Sequence, residues 1–291
     1  MQSFYDLRSA KPPPGIRAAV GGYLHEIALL GMRTADLHTA LMRAGEPSFN
    51  AEPFGFADRR RLAVTLVSHA REALDRLEAR RSVLTADANA NAATLLQRRR
   101  AVLDRLDALE RLRVDVHAIR CHNDYHLGQI LRTEHDFVIV DFARPAGVDA
   151  PVVLRTGFVR RLLRRFSPPA RQIPDGKGLA LVDVATMLRS LSAATATAHH
   201  AFLVRRPSEA SRIAKWAACW EAWTSAAFLT AYLDRAADAP YLPTDERHLR
   251  QLLAAFLLDA TLDELRHYLD TWPDRAYIPL DAALQLTSHL D

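Results

Sequence analysis

The chain has 291 residues, 49% of them hydrophobic and 25% charged, the composition of a globular protein able to bury one large core or two small ones. Arg and Lys outnumber Asp and Glu by only 38 to 34, so the charge balance does not call for nucleic acid as a partner. Cys121 and Cys219 make neither a disulfide framework nor a metal set, and there is neither a signal segment nor an apolar run of about 18 residues. The expectation is a cytoplasmic protein with no membrane partner.

Residues 1–15 end in Lys11-Pro12-Pro13-Pro14-Gly15 and read as a stiff linker, because consecutive prolines fix φ and cannot enter a helix interior. From Ile16 to Arg43 the positions Ala19, Tyr23, Ile27, Leu30, Thr34 and Leu37 recur near helical spacing and predict a long amphipathic helix. His38, on that helix, reads as a packed or solvated histidine rather than a substrate contact. A polar loop with Glu46-Pro47 and Glu52-Pro53-Phe54 follows, then two charged helices, roughly Arg59 to Leu84 and Asn91 to Leu112. Their Arg and Glu residues at three- and four-residue spacing read as solvated faces.

The segment Ile119 to Phe142 reads IRCHNDYHLGQILRTEHDFVIVDF and carries the chemistry. A short β-prone run leads into the loop Asn123-Asp124-Tyr125-His126, and two alternating apolar runs meet at Glu134-His135-Asp136, a β-hairpin pattern that ends on Asp141. Phosphoryl transfer needs one carboxylate to take the proton of an attacking hydroxyl and oxygen ligands to hold magnesium on the phosphates. Asp124 is the candidate base, and Gln129 and Asp141 are the candidate metal ligands, the latter returned by the hairpin.

At these residues the chain resembles the catalytic segment of bacterial maltokinases, including those fused to the C-terminus of trehalose synthase, within the aminoglycoside phosphotransferase and protein-kinase-like group. Cys121-His122-Asn123-Asp124-Tyr125-His126-Leu127-Gly128-Gln129 followed by Val140-Asp141-Phe142 carries the likeness, as does Leu30-Gly31-Met32-Arg33-Thr34-Ala35-Asp36-Leu37-His38. The family pattern continues Asp-Phe-Glu-Gly-Glu-Pro, whereas Ala143-Arg144-Pro145 stands here. The resemblance implies Asp124 as base, Gln129 and Asp141 on Mg2+, ATP as donor, and His122 as a support of the loop.

The insertion 145–178 is rich in turn residues and holds Arg155, Arg160, Arg161, Arg164 and Arg165, read as a solvated helix or mobile stretch in preference to a phosphate cradle. A helix from about Leu179 resembles the family's Asp-Val-Ala-Gly-Met-Leu-Arg-Ser, and its Asp183 is expected to brace the catalytic loop. Trp216, Trp220 and Trp223 share a helical stripe over Lys215 to Asp234 that reads as core rather than sugar platform, and Thr244 to Leu269 forms a further helix. The ending Glu264-Leu265-Arg266-His267-Tyr268 is similar to the family's own, which makes Glu264, Arg266 and Tyr268, with His126, candidates for sugar contacts.

The expected fold is mainly α with a small β-hairpin, residues 16–291 forming the C-terminal lobe of a kinase-like fold. Its N-terminal nucleotide lobe is read as missing, because no set of alternating strands, no glycine-rich phosphate loop and few lysines (Lys11, Lys177 and Lys215) are present. That lobe would be an upstream segment or a separate chain, and trehalose synthase is a further candidate partner. The expected function is transfer of the ATP γ-phosphoryl group to the anomeric hydroxyl of maltose. The alternatives are a degenerate module that binds sugar or partner, and another small-molecule kinase of the aminoglycoside phosphotransferase type.

Overall fold

The computed structural model describes residues 4–44, 49–142 and 177–288. In chain order these hold α1 (Pro14–Met42), β1 (Glu52–Pro53), α2 (Phe56–Ala79), α3 (Ala86–Gln97), α4 (Arg99–Asp107), β2 (His117–Arg120), β3 (Ile130–Arg132), β4 (Phe137–Ile139), β5 (Lys177–Gly178), α5 (Leu181–Arg205), α6 (Ala210–Arg235), α7 (Glu246–Thr271) and α8 (Tyr277–Thr287). The Arg155 to Arg165 cluster and Ala143-Arg144-Pro145 lie outside the described residues. No helix among those described is long and apolar enough to cross a membrane.

The chain divides into two compact units. The first contains α1, the loop and hairpin after Ile119, α5 and α6. Pro14 opens α1, where its missing N–H would have had no intrahelical partner anyway. The buried positions of α1 are Ile16, Val20, Leu24, Ile27, Leu30, Gly31, Thr34, Ala35 and His38, so in its first half the core stripe lies one residue on from Ala19 and Tyr23. The helix packs along α6 closely enough that a Cβ on Gly31 would collide with the Phe228 carbonyl and sit 3.1 Å from the Tyr232 nitrogen.

Among residues 4–15, Tyr5 and Leu7 are buried while Ser9 to Lys11 and Pro13 to Gly15 are exposed. A 3-10 turn at Asp6–Ser9 buries Leu7, which joins Ile16, Val20, Leu24, Trp223 and Ala226 in one apolar cluster. The tryptophan stripe divides along α6: Trp223 is 8% exposed in that cluster, Trp220 meets the Tyr23 ring at 4.9 Å, and Trp216 is 40% exposed. Only the C-terminal end of the stripe is core.

The second unit holds β1, α2, α3, α4, α7 and α8. Thr85 Oγ1 caps α3 by accepting the Ala88 amide, and the chain breaks at Arg98 into α4, so the single helix expected from Asn91 to Leu112 is two. Asp245 caps α7 by accepting the Arg247 amide. Across this unit Arg76 binds Asp270 and Arg266 binds Glu72, pairs that link α2 to α7 rather than neighbouring turns of one helix.

β2 runs through the division of the chain. His117 and Ala118 pair with Pro53 and Glu52 in the second unit, and Ile119 and Arg120 pair with Gly178 and Lys177 in the first. Ile119 is fully buried, and the strand ends at Arg120, just before the loop that starts at Cys121.

Candidate active site

The loop from Cys121 to Gln129 is shaped by its own backbone requirements before any ligand is considered. Asn123 has φ 63° and Asp141 has φ 61°, a left-handed conformation that L residues adopt at some energetic cost and that asparagine and aspartate tolerate best. Two such residues, one in the loop and one at the end of the hairpin, turn the chain sharply where chemistry-bearing side chains stand.

Asp183, in the first turn of α5, holds this loop from below. It is fully buried, and its carboxylate accepts three donors: the His122 amide at 2.7 Å and His38 Nε2 at 3.1 Å on Oδ2, and the Asn123 amide at 2.9 Å on Oδ1. Burial alone would push its pKa up; His38, then His122, outweigh that and hold it below the usual carboxylate range. An ionised Asp183 only accepts, so His38 Nε2 donates, while His38 Nδ1 meets the Tyr232 hydroxyl at 2.9 Å. His38 is therefore the packed histidine expected from sequence, but its partners make it part of the loop's foundation.

His122 joins the loop to the hairpin. Its Nδ1 accepts the Asp124 amide at 3.3 Å, and its Nε2 donates to the Val140 carbonyl at 2.9 Å. The ring stacks on Phe142 with centroids 4.6 Å apart. Burial lowers the pKa of His122, so the ring serves as a neutral bridge between the amide of the proposed base, Asp124, and the carbonyl of the residue before Asp141.

The expected hairpin is present, with Ile130 opposite Ile139 and Arg132 opposite Phe137. Continuing the ladder, the Val140 amide donates to the Gln129 carbonyl at 3.0 Å, which brings the start of the Asp141 turn against the turn that carries Gln129. Arg33 of α1 binds Asp136 at 2.8 Å and anchors the hairpin's far end. The Thr34 hydroxyl gives its proton to the Leu30 carbonyl, so Tyr125 donates to Thr34 at 2.7 Å and pins the loop to α1.

Asp124 itself has a side chain facing each of its oxygens, one of them within hydrogen-bond distance. Gln129 Nε2 donates to Oδ2 at 3.1 Å, and His126 Nε2 stands 3.7 Å from Oδ1. With its nitrogen on Asp124, the Gln129 amide has its carbonyl oxygen left to offer a hard cation, and Asp141 offers a carboxylate. Two hard oxygen donors suit Mg2+, which keeps water and phosphate oxygens for its remaining positions. Among the described residues there is no cluster of three His, Cys, Asp or Glu side chains fit to hold a metal.

Asp124, Gln129, Asp141, His122, His126 and Asp183 are thus gathered on one loop, one hairpin and one helix start. Glu264, Arg266 and Tyr268 belong to the second unit, where each is held by local packing: Glu264 and Tyr268 are buried, Tyr268 meets Trp272 edge-on at 5.8 Å, and Arg266 binds Asp263 at 2.7 Å as well as Glu72. Sequence reasoning did not find the roles of His38 and Tyr232. The spacing of His38 on the buried stripe of α1 was an available signal, but its partners are remote in sequence.

No protein-family model matches the sequence, and no curated protein matches it. Solved structures do match. A glucosamine kinase in complex with glucosamine, ADP and inorganic phosphate aligns at TM-score 0.63 and 23% identity, over 99% of this chain and 55% of that one. Two crystal forms of glucosamine kinase align similarly, form A at TM-score 0.63 and 24% identity over 54% of its length, and form B at 0.64 and 23% over 60%. The chain therefore spans less than two thirds of the length of these structures. At such identities the likeness speaks for the fold, which is kinase-like.

Proposed function

We propose that this chain is the acceptor-side lobe of a sugar phosphotransferase, moving the γ-phosphoryl group of ATP to a sugar hydroxyl. The observation that carries the reading is the hydrogen-bonded unit in which Asp124 is flanked by Gln129 and His126, while Val140 ties the Asp141 turn to both His122 and Gln129. Asp124 accepts the proton of the attacking hydroxyl and aims its oxygen. Gln129 Oε1 and the Asp141 carboxylate are the groups that would hold Mg2+. When bound, that ion neutralises charge on the phosphates. Asp183, His38 and His122 keep the loop in place during the transfer.

The acceptor is a sugar on two supports. The resemblance of the loop to maltokinases points to the anomeric hydroxyl of maltose, and the aligned solved structures include one that holds glucosamine. ADP release with ATP and magnesium is to be measured with each sugar, for the chain as it stands and with a nucleotide-binding lobe supplied, because the chain spans little more than half of the aligned structures. Asp124→Asn is expected to lower kcat by at least about 100-fold, the lower end of what one general base contributes. Full activity in Asp124→Asn overturns the assigned role, and sugar binding in calorimetry without any magnesium-nucleotide binding favours a non-catalytic sugar-binding module.

A further inference from the structure

His126, a candidate for sugar contact in the sequence, has a second feature in its geometry. Its ring accepts the Gly128 amide on Nδ1 at 3.0 Å, so that nitrogen carries a lone pair and the proton of the neutral ring is on Nε2. By the same bond the ring caps the short 3-10 turn Leu127–Gln129, which delivers Gln129. Nε2 faces Asp124 Oδ1 at 3.7 Å, longer than a closed hydrogen bond and too short for an intervening water. One imidazole thus spans the turn of a proposed metal ligand and the proposed base.

Resting on the phosphotransfer reading above, we propose that His126 is a positioning residue. Its Nε2–H, directed by the Gly128 amide, faces one oxygen of Asp124 at 3.7 Å while Gln129 donates to the other at 3.1 Å, so the pair restricts how the carboxylate turns toward the acceptor hydroxyl. The chemical reason is that an ionised carboxylate rotates freely about its terminal torsion unless donors fix both oxygens, and a misaimed base loses rate steeply. Burial, with the neighbouring His122, lowers the His126 pKa to about 4, which agrees with a neutral ring.

The first arm of the test needs no activity. Histidine ring 15N shifts of the labelled wild-type chain are expected to show an unprotonated Nδ1 and a protonated Nε2 at His126; the opposite tautomer overturns the inference. The second arm compares His126→Gln, whose amide N–H reaches the place of Nε2, with His126→Leu, which has no donor. His126→Leu is expected to lower kcat about 10- to 100-fold while the sugar KM moves less than about twofold, and His126→Gln to recover most of the loss. A raised KM at unchanged kcat means the ring binds sugar and overturns the inference, as does equal loss in both variants. If the wild type transfers phosphate to no acceptor, the phosphotransfer reading fails and the 13Cγ resonance of Asp124 decides this one. Displacement by Leu but not Gln supports the positioning role; the same resonance in all three proteins overturns it.

Discussion

Asp183 sits out of reach of water with three donors on its two oxygens, and every one of them belongs to the loop or to the helix that backs it. Asp183→Asn keeps the size of the side chain but replaces one acceptor by a donor, which leaves a buried N–H without a partner. The expected loss is about 3–5 kcal/mol, as for other broken buried charge networks, read from urea denaturation. The pH dependence of stability follows from the same groups with opposite timing. His126 has a folded pKa of about 4, below the ~6.5 of an unfolded histidine, so the unfolded chain binds the proton first as pH falls. Stability is therefore full above about pH 6.5 and drops by about 2 kcal/mol for this residue alone by pH 5. Asp183, with its pKa depressed, keeps its contribution until the pH falls below the ~3.9 of an unfolded aspartate. Denaturation of wild type and His126→Gln at pH 7 and pH 5 checks this: the variant should lack about 2 kcal/mol of the drop.

At the scale of elements, the contact of α1 with α6 is set by what Gly31 lacks. Gly31→Ala places a methyl group against the Phe228 carbonyl, a backbone atom that cannot swing aside, so the helices must part. A loss of about 1–3 kcal/mol or more is expected from thermal unfolding, even though alanine is the better helix former. Along α6, Trp223→Ala should cost about 3–5 kcal/mol and Trp216→Ala under about 1, because only the former empties a packed site. The same elements show what could be read from sequence. The extent of α1, the hairpin with its tip at Glu134-His135, and the helix carrying Asp183 followed from local periodicity and turn chemistry. Gly31 could not be explained that way, since its obstacle comes from a helix distant in sequence. The core role of Leu7 was hidden by the prolines after it, which signal a break in helix but say nothing of burial. The break at Arg98 was masked by apolar spacing that continues through Val102 and Leu106 on the far side.

For the whole molecule, the groups assigned to catalysis all fall in one of the two units, although the chain visits that unit in three separate stretches. Such a site has an energetic consequence, because its parts are tied by a few long-range hydrogen bonds while two of its residues hold left-handed backbone. Loops of this construction open locally at low free energy, and a ligand that binds only the closed form protects them by mass action. Hydrogen exchange with and without magnesium-nucleotide and sugar is therefore expected to show protection concentrated in residues 122–141 and in the first turn of α5, with α7 and α8 changed little. Asp183→Asn should weaken protection of the His122 and Asn123 amides even without ligand, since their acceptor has been altered. Arg266→Ala, which breaks ion pairs to Glu72 and Asp263, should leave the protection of residues 122–141 as it was. Protection by sugar that centres on Glu264 to Tyr268 would instead restore those residues as the acceptor's contacts and remove the loop from that role.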